Sequence, residues 1–119
     1  MIKPWGFHLL LDCSDCDRAL ISDPEHIKNF SRILVKRINM TAWDEPRVEF
    51  MLPGDPKQGH TLIQLITTSN ITAHFVDING SAFIDVFSCQ EFDVVEVKAT
   101  VNEFFKPKKM TDMLVGRVA

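Results

Sequence analysis

TLIQLITTSNITAHFVDINGSAFIDVFSC, residues 61–89, is the stretch on which the fold turns. An apolar run (Leu62, Ile63, Leu65, Ile66) leads into Thr67-Thr68-Ser69-Asn70, a second β-rich segment carries His74, and a third ends at Cys89. Asn79-Gly80 stands between the last two, and Asn-Gly between β-rich runs is the strongest short hairpin signal. With these two as the central turn residues, Ile78 pairs with Ser81, His74 lies opposite Asp85, and Asn70 lies opposite Cys89. Adjacent strands sit about 4.8 Å apart, so Ser69 and Cys89 are predicted neighbours. A hydroxyl, an imidazole and a thiol then converge on one end of the hairpin. The same three side chains also suit a plain role as strand-end polar residue, half-buried histidine and buried thiol.

Outward from this core, Phe7 to Asp12 reads as a first strand. Ser22-Asp23-Pro24-Glu25 is a helix start, and Ile27, Phe30, Leu34 and Ile38 recur at helical spacing, predicting a helix from Pro24 to Asn39. Arg47 to Leu52 reads as a strand, closed by a loop over 53–59 whose prolines and glycines forbid regular structure. Phe92 to Phe105 carries Val94, Val97, Val101, Phe104 and Phe105 on one stripe, a second helix that packing must hold because β-branched residues form helices weakly. Pro107 stops it, and Met110 to Val118 is predicted to add a strand at the sheet edge. The order β-α-β-β-β-β-α-β implies an α+β fold, an α/β sandwich with an antiparallel sheet and two helices packed on one face. The other face needs cover, and Phe75, Phe83 and Phe87 are expected to share it.

The chain has 119 residues, 45% of them hydrophobic, which predicts one domain spanning 1–119. Its net charge of −3 and the lack of a basic run beyond Lys106-Pro107-Lys108-Lys109 argue against a nucleic-acid partner. No run approaches the roughly 18 apolar residues of a membrane span, so the expectation is a soluble, cytoplasmic protein with no membrane partner. Three cysteines point to a reducing compartment. Cys13 and Cys16 form a C-x2-C with no second such pair, so no metal is expected and strand-end packing is the reading.

The spacing of the hairpin residues resembles the short prokaryotic-type S-adenosylmethionine decarboxylases, whose pattern is S-x7-S-x4-H-x14-C with a D-[VL]-F-[TS]-C ending. Here Thr61, Ser69 and His74 fall at those intervals, and Asp85-Val86-Phe87-Ser88-Cys89 closes the pattern without a gap. Gly6-Phe7-His8-Leu9 and Cys16-Asp17 look like the family's opening strand, so the likeness covers most of the chain. Departures occur at Thr61, where the family has serine, and at Thr68-Ser69-Asn70, where it usually has Glu-Ser-His. After His74 the family commonly carries an aromatic and a glutamate that hold adenosine, and this sequence has Val76 and Ile78.

The resemblance implies a proenzyme that cuts itself between Thr68 and Ser69, turning Ser69 into a pyruvoyl cofactor with no metal. His74 is then the processing acid/base, Thr61 the support for the oxyanion, and Cys89 the proton donor during turnover. The pyruvoyl group forms a Schiff base with the substrate amine and takes up electrons as carbon dioxide leaves, which in the family serves spermidine biosynthesis. Phe75 and Asp77, adjacent to the altered positions, are the candidate substrate-binding replacements. A homodimer is the expected assembly. The changed pocket leaves open a decarboxylase of ornithine or arginine using the same chemistry, and the changed flanks of Ser69 leave open a non-cleaving homologue acting as a regulatory or partner subunit.

Overall fold

The computed structural model describes residues 3–119. The elements run β1 (Gly6–Ser14), α1 (Arg18–Ile21), α2 (Pro24–Arg37), β2 (Arg47–Met51), β3 (Gly59–Ile66), β4 (Ser69–Val76), β5 (Ser81–Ser88), α3 (Val94–Phe105) and β6 (Lys109–Arg117). The strands form one antiparallel sheet in the order β2-β3-β4-β5-β1-β6, with the helices layered on one face. Each helix starts at an aspartate: Asp17, Asp23 and Asp93 accept backbone N–H bonds from the first turn, satisfying donors that the helix itself leaves unpaired. Asp93 is the reason α3 begins at Val94 and not at Phe92. The single turn of α1 was not expected; four residues carry no periodicity to detect.

Alternation along the strands fills the space under the helices. Leu9 and Leu11 of β1, Leu62 and Ile66 of β3, Ile71 and Ala73 of β4, and Ile84 and Val86 of β5 meet Ile27, Phe30 and Leu34 of α2 and Val97, Val101 and Phe105 of α3. Phe105 stacks at 4.8 Å from both Phe30 and Phe75, tying both long helices to the sheet. Burying one such ring fully is worth roughly 1.5–3 kcal/mol. Gln64 is the polar exception in this layer: it accepts from Ser31 and donates to the carbonyls of Asp44 and Leu65, so its amide is fully bonded while buried.

Two expectations about the hairpin are corrected. The β4–β5 register pairs Val76 with Ser81, His74 with Phe83 and Ser69 with Ser88, two residues away from the predicted pairing. The connection is a four-residue loop, Asp77–Gly80, closed by Gly80 N–H to the Val76 carbonyl and by Asn79 accepting from Ser81 N–H. Only Gly80 takes positive φ (72°); Asn79 does not, and the two-residue type I′ turn requires it at both positions. Asp85 accordingly pairs with Leu10 on β1 and bonds His8 (3.0 Å), not His74. The second correction concerns the aromatics. Paired positions sum to an odd number, so odd-numbered Phe75 shares a face with even-numbered Ala82, under the helices, whereas Phe83 and Phe87 lie on the opposite face.

That opposite face has no helical cover. Met51, Ile63, Leu65, Phe83, Met113 and Val115 are exposed across it. Among the described residues no helix is long and apolar enough to cross a membrane, and no cluster of three or more His, Cys, Asp or Glu residues has the makings of a metal site.

Candidate active site

Ser69 opens β4 directly after the two-residue turn Thr67-Thr68, which joins it to β3. Its φ is 154°, a backbone conformation open to glycine and rare for any residue with a Cβ. Strain of this kind costs about 1–3 kcal/mol and persists only where neighbouring structure enforces it. The enforcement is visible. The Thr68 carbonyl accepts from Cys89 N–H (3.0 Å), Thr67 N–H bonds the Thr41 carbonyl (2.9 Å), and Ser88 Oγ lies 2.8 Å from Thr68 Oγ1. Gly6 completes the packing: a Cβ there would lie 2.6 Å from the Ser88 carbonyl oxygen and 3.0 Å from the Cys89 Cα, so glycine is what lets β1 approach this corner. The Cys89 thiol is exposed beside it.

His74 sits near the other end of β4, paired with Thr61 of β3. The imidazole is held at both nitrogens: Nε2 bonds the Lys57 carbonyl (2.8 Å) and Nδ1 bonds Thr61 Oγ1 (2.8 Å). A carbonyl only accepts, so in the neutral ring the proton is on Nε2 and the Thr61 hydroxyl donates to the Nδ1 lone pair. The pair faces a cavity of about 580 Å³ on the helix-free face, lined also by Met51, Leu52, Pro56, Val76, Asn79, Ser81 and Phe83. A volume of this size suits a nucleoside-sized ligand.

The structure therefore brings Ser69 together with Cys89, and Thr61 together with His74, but does not join the two pairs. Five strand steps lead from Ser69 to His74 along β4, about 17 Å at the usual rise. The expectation that all three side chains converge at one hairpin end fails for this reason, and within one chain Thr61 stands by the imidazole, not by the Thr68 carbonyl. The backbone N–H of Cys89 occupies that position, a role no side-chain motif reveals. Phe75 is 0% exposed and points into the helix layer, away from the cavity. Asp77 accepts from Gln58 Nε2 (3.0 Å) and borders a separate hollow of about 360 Å³ together with Ile78. The aromatic of the main cavity is Phe83, 46% exposed and directly across from His74. Sequence reasoning missed it because the assumed register set Asp85 in that place.

The cysteines at the start of the chain form a separate pair. Cys13 and Cys16 are both buried; the hydrogen bond between them pushes the Cys13 thiol up, with burial adding to it, and holds the Cys16 thiol below its ordinary value against the opposing effect of burial. Near them the bonds from Arg18 and Lys108 hold the Asp15 carboxyl below the usual range.

The sequence profile of the S-adenosylmethionine decarboxylase family matches residues 7–117, nearly the whole of this arrangement. The chain belongs to that family. An S-adenosylmethionine decarboxylase proenzyme from Thermomicrobium roseum is 27% identical over 117 residues, 98% of this chain and 96% of its own length. Proenzymes of the same name from Prochlorococcus marinus and Thermodesulfovibrio yellowstonii are 31% identical over 84 and 94 residues, or 71% and 79% of this chain. The match spans 63% and 66% of those two relatives, just under two thirds of their length. The crystal structure of the adenosylmethionine decarboxylase from Aquifex aeolicus superposes with a TM-score of 0.83 over 99% of this chain and 94% of that one, at 24% identity, so the fold is shared. Both halves of the divided hairpin site lie inside the family match.

Proposed function

We propose that this chain is a self-processing, pyruvoyl-dependent S-adenosylmethionine decarboxylase proenzyme, a cytoplasmic homodimer serving spermidine synthesis. The observation that carries the reading is the backbone of Ser69: a strained φ of 154° next to a carbonyl already held by the N–H of Cys89. In the first step the Ser69 hydroxyl oxygen attacks the Thr68 carbonyl carbon. The C–N bond to Ser69 breaks, an ester replaces it, and the proton passes to the freed amine. Charge that develops on the Thr68 oxygen meets the Cys89 N–H, the arrangement of an oxyanion hole. Relief of the strain at Ser69 favours the same step.

Removal of the Ser69 α-proton then expels Thr68 as a carboxylate and leaves dehydroalanine, which tautomerises and takes up water, losing ammonia. The products are chains of 68 and 51 residues (119 − 68). The pyruvoyl group supplies an electron sink for the carboxylate that leaves the substrate. Cys89 holds its thiol proton beside position 69, ready for the substrate α-carbon. His74 is assigned the Ser69 α-proton, and imidazole suits that task near neutral pH.

A lone chain holds His74 about 17 Å from Ser69 by the strand rise, so the assignment requires a second copy. The exposed apolar residues of the helix-free face support packing of two such faces. Packed sheets lie about 10 Å apart, and a two-fold axis crossing β4 near Thr72 sets Ser69 and Cys89 of one copy over Thr61 and His74 of the other. In this reading Phe83 supplies the aromatic surface that Val76 does not. The cavity is lined largely by apolar side chains, with Met51, Leu52, Val76 and the ring of Phe83, which favours the flat adenosyl group over the small charged side chains of ornithine or arginine. Mass spectrometry of purified wild-type and Ser69→Ala protein, with carbon dioxide release from all three substrates, tests the proposal. The expected result is cleavage before residue 69 in wild type only, and release from S-adenosylmethionine alone; an intact wild-type chain after prolonged incubation would sink it.

A further inference from the structure

The geometry points to Thr68 as a positioning residue for the cut: its side-chain hydroxyl, clamped between Ser88 and Met40, holds its own carbonyl in place for attack. This rests on the self-cleavage proposed above. Gln90 N–H donates to Ser88 Oγ (3.0 Å), Ser88 Oγ donates to Thr68 Oγ1 (2.8 Å), and Thr68 Oγ1 donates to Met40 Sδ (3.3 Å). Ser88 Oγ also lies 3.7 Å from Met40 Sδ, so both hydroxyls of this run meet the one thioether. Ser88 is 0% exposed and lies directly opposite Ser69 in the β4–β5 register.

The consequence is geometric. The Thr68 carbonyl is bonded to Cys89 N–H, one residue beyond Ser88. Side chain and carbonyl of Thr68 are thus pinned to two successive residues of the same strand end, fixing the dihedrals on either side of the carbon that Ser69 Oγ must reach. In the attack, the bond from Ser69 Oγ to the Thr68 carbonyl carbon forms, the peptide C–N bond breaks, and the serine proton ends on the nitrogen. Thr68 Oγ1 takes no part in that exchange. Thr68 Oγ1, bonded to Met40 Sδ under the turn, could reach its own carbonyl carbon only by closing a strained four-membered ring, so the hydroxyl anchors the carbonyl without competing with Ser69 as a nucleophile. Reaction rates are sensitive to small misplacement of reacting atoms, and this anchor limits it.

The test compares Thr68→Val, which keeps the shape and removes the hydroxyl, with Thr68→Ser, which keeps the hydroxyl, and with Ser88→Ala. Cleavage is timed on full-length chains well below the thermal midpoint, and hydroxylamine is added to a parallel set to capture the ester as a Thr68 hydroxamate. Thr68→Val and Ser88→Ala are expected to slow cleavage about ten-fold and to lower hydroxamate yield, the scale of one lost hydrogen bond. Thr68→Ser is expected to stay within about two-fold of wild type. The double variant is expected to be no slower than either single one, since both break one run of bonds. If Thr68→Val cleaves at the wild-type rate while Ser69→Ala remains uncut, the clamp is wrong and self-cleavage stands. If wild type itself never cleaves, both fall.

Discussion

The two ends of β4 are built by different means. At Ser69 the backbone itself is displaced from its usual conformation, and hydroxyls, a thioether and a strand-end N–H hold it there. At His74 the backbone is regular strand, and precision comes from two hydrogen bonds that fix one side chain. In the reading proposed above, a nucleophile that must reach its own preceding carbonyl calls for an unusual backbone, and an acid/base calls for an oriented ring. Each chain thus carries two groups of opposite construction, and strand length keeps them apart.

The contrast predicts which variants separate processing from turnover. The largest effect is expected at the strained end: Cys89→Ala keeps its backbone N–H on the Thr68 carbonyl and should still process near normally, while decarboxylation falls by roughly 10² for want of a positioned proton donor. Following fragment formation and carbon dioxide release on one sample checks it. Equal losses in both readouts would merge the two roles assigned to this residue. A smaller effect is expected at the cavity end, where Phe83→Ala should leave processing intact and weaken S-adenosylmethionine binding by about 1 kcal/mol, the worth of one aromatic contact. A titration calorimetry series on processed protein measures it, with Phe75→Leu as the control that should leave binding unchanged.

Much of this was legible in the sequence, and the failures have physical causes. Strand and helix identity followed from periodicity and from the aspartate and proline at the start of α2. Register did not, because Asn-Gly signals a turn without fixing its length, and in the observed four-residue loop only Gly80 takes positive φ, moving the closing pair from Ile78–Ser81 to Val76–Ser81. That single ambiguity moved Asp85 opposite His74 and hid Phe83. Spacing singled out Ser69, His74 and Cys89 as candidates but could not give their grouping, since residues on one strand recede from each other by about 3.3 Å per position. The backbone N–H of Cys89 and the Thr68–Ser88–Met40 bonds left no motif at all. The position of Gly6 in the opening motif gained its reason only when β1 was seen against Ser88 and Cys89.

The claim that two copies complete each site is tested most directly by complementation. Ser69→Ala chains lack the nucleophile and His74→Ala chains lack the base, so neither is expected to cleave when expressed alone. Co-expressed with distinguishable tags, a mixed dimer holds one site with Ser69 from the His74→Ala chain and His74 from the Ser69→Ala chain. The account predicts that mass spectrometry of the mixed dimer finds the His74→Ala chain cut before residue 69 and the Ser69→Ala chain intact. A mixed dimer in which the His74→Ala chain stays whole would contradict it.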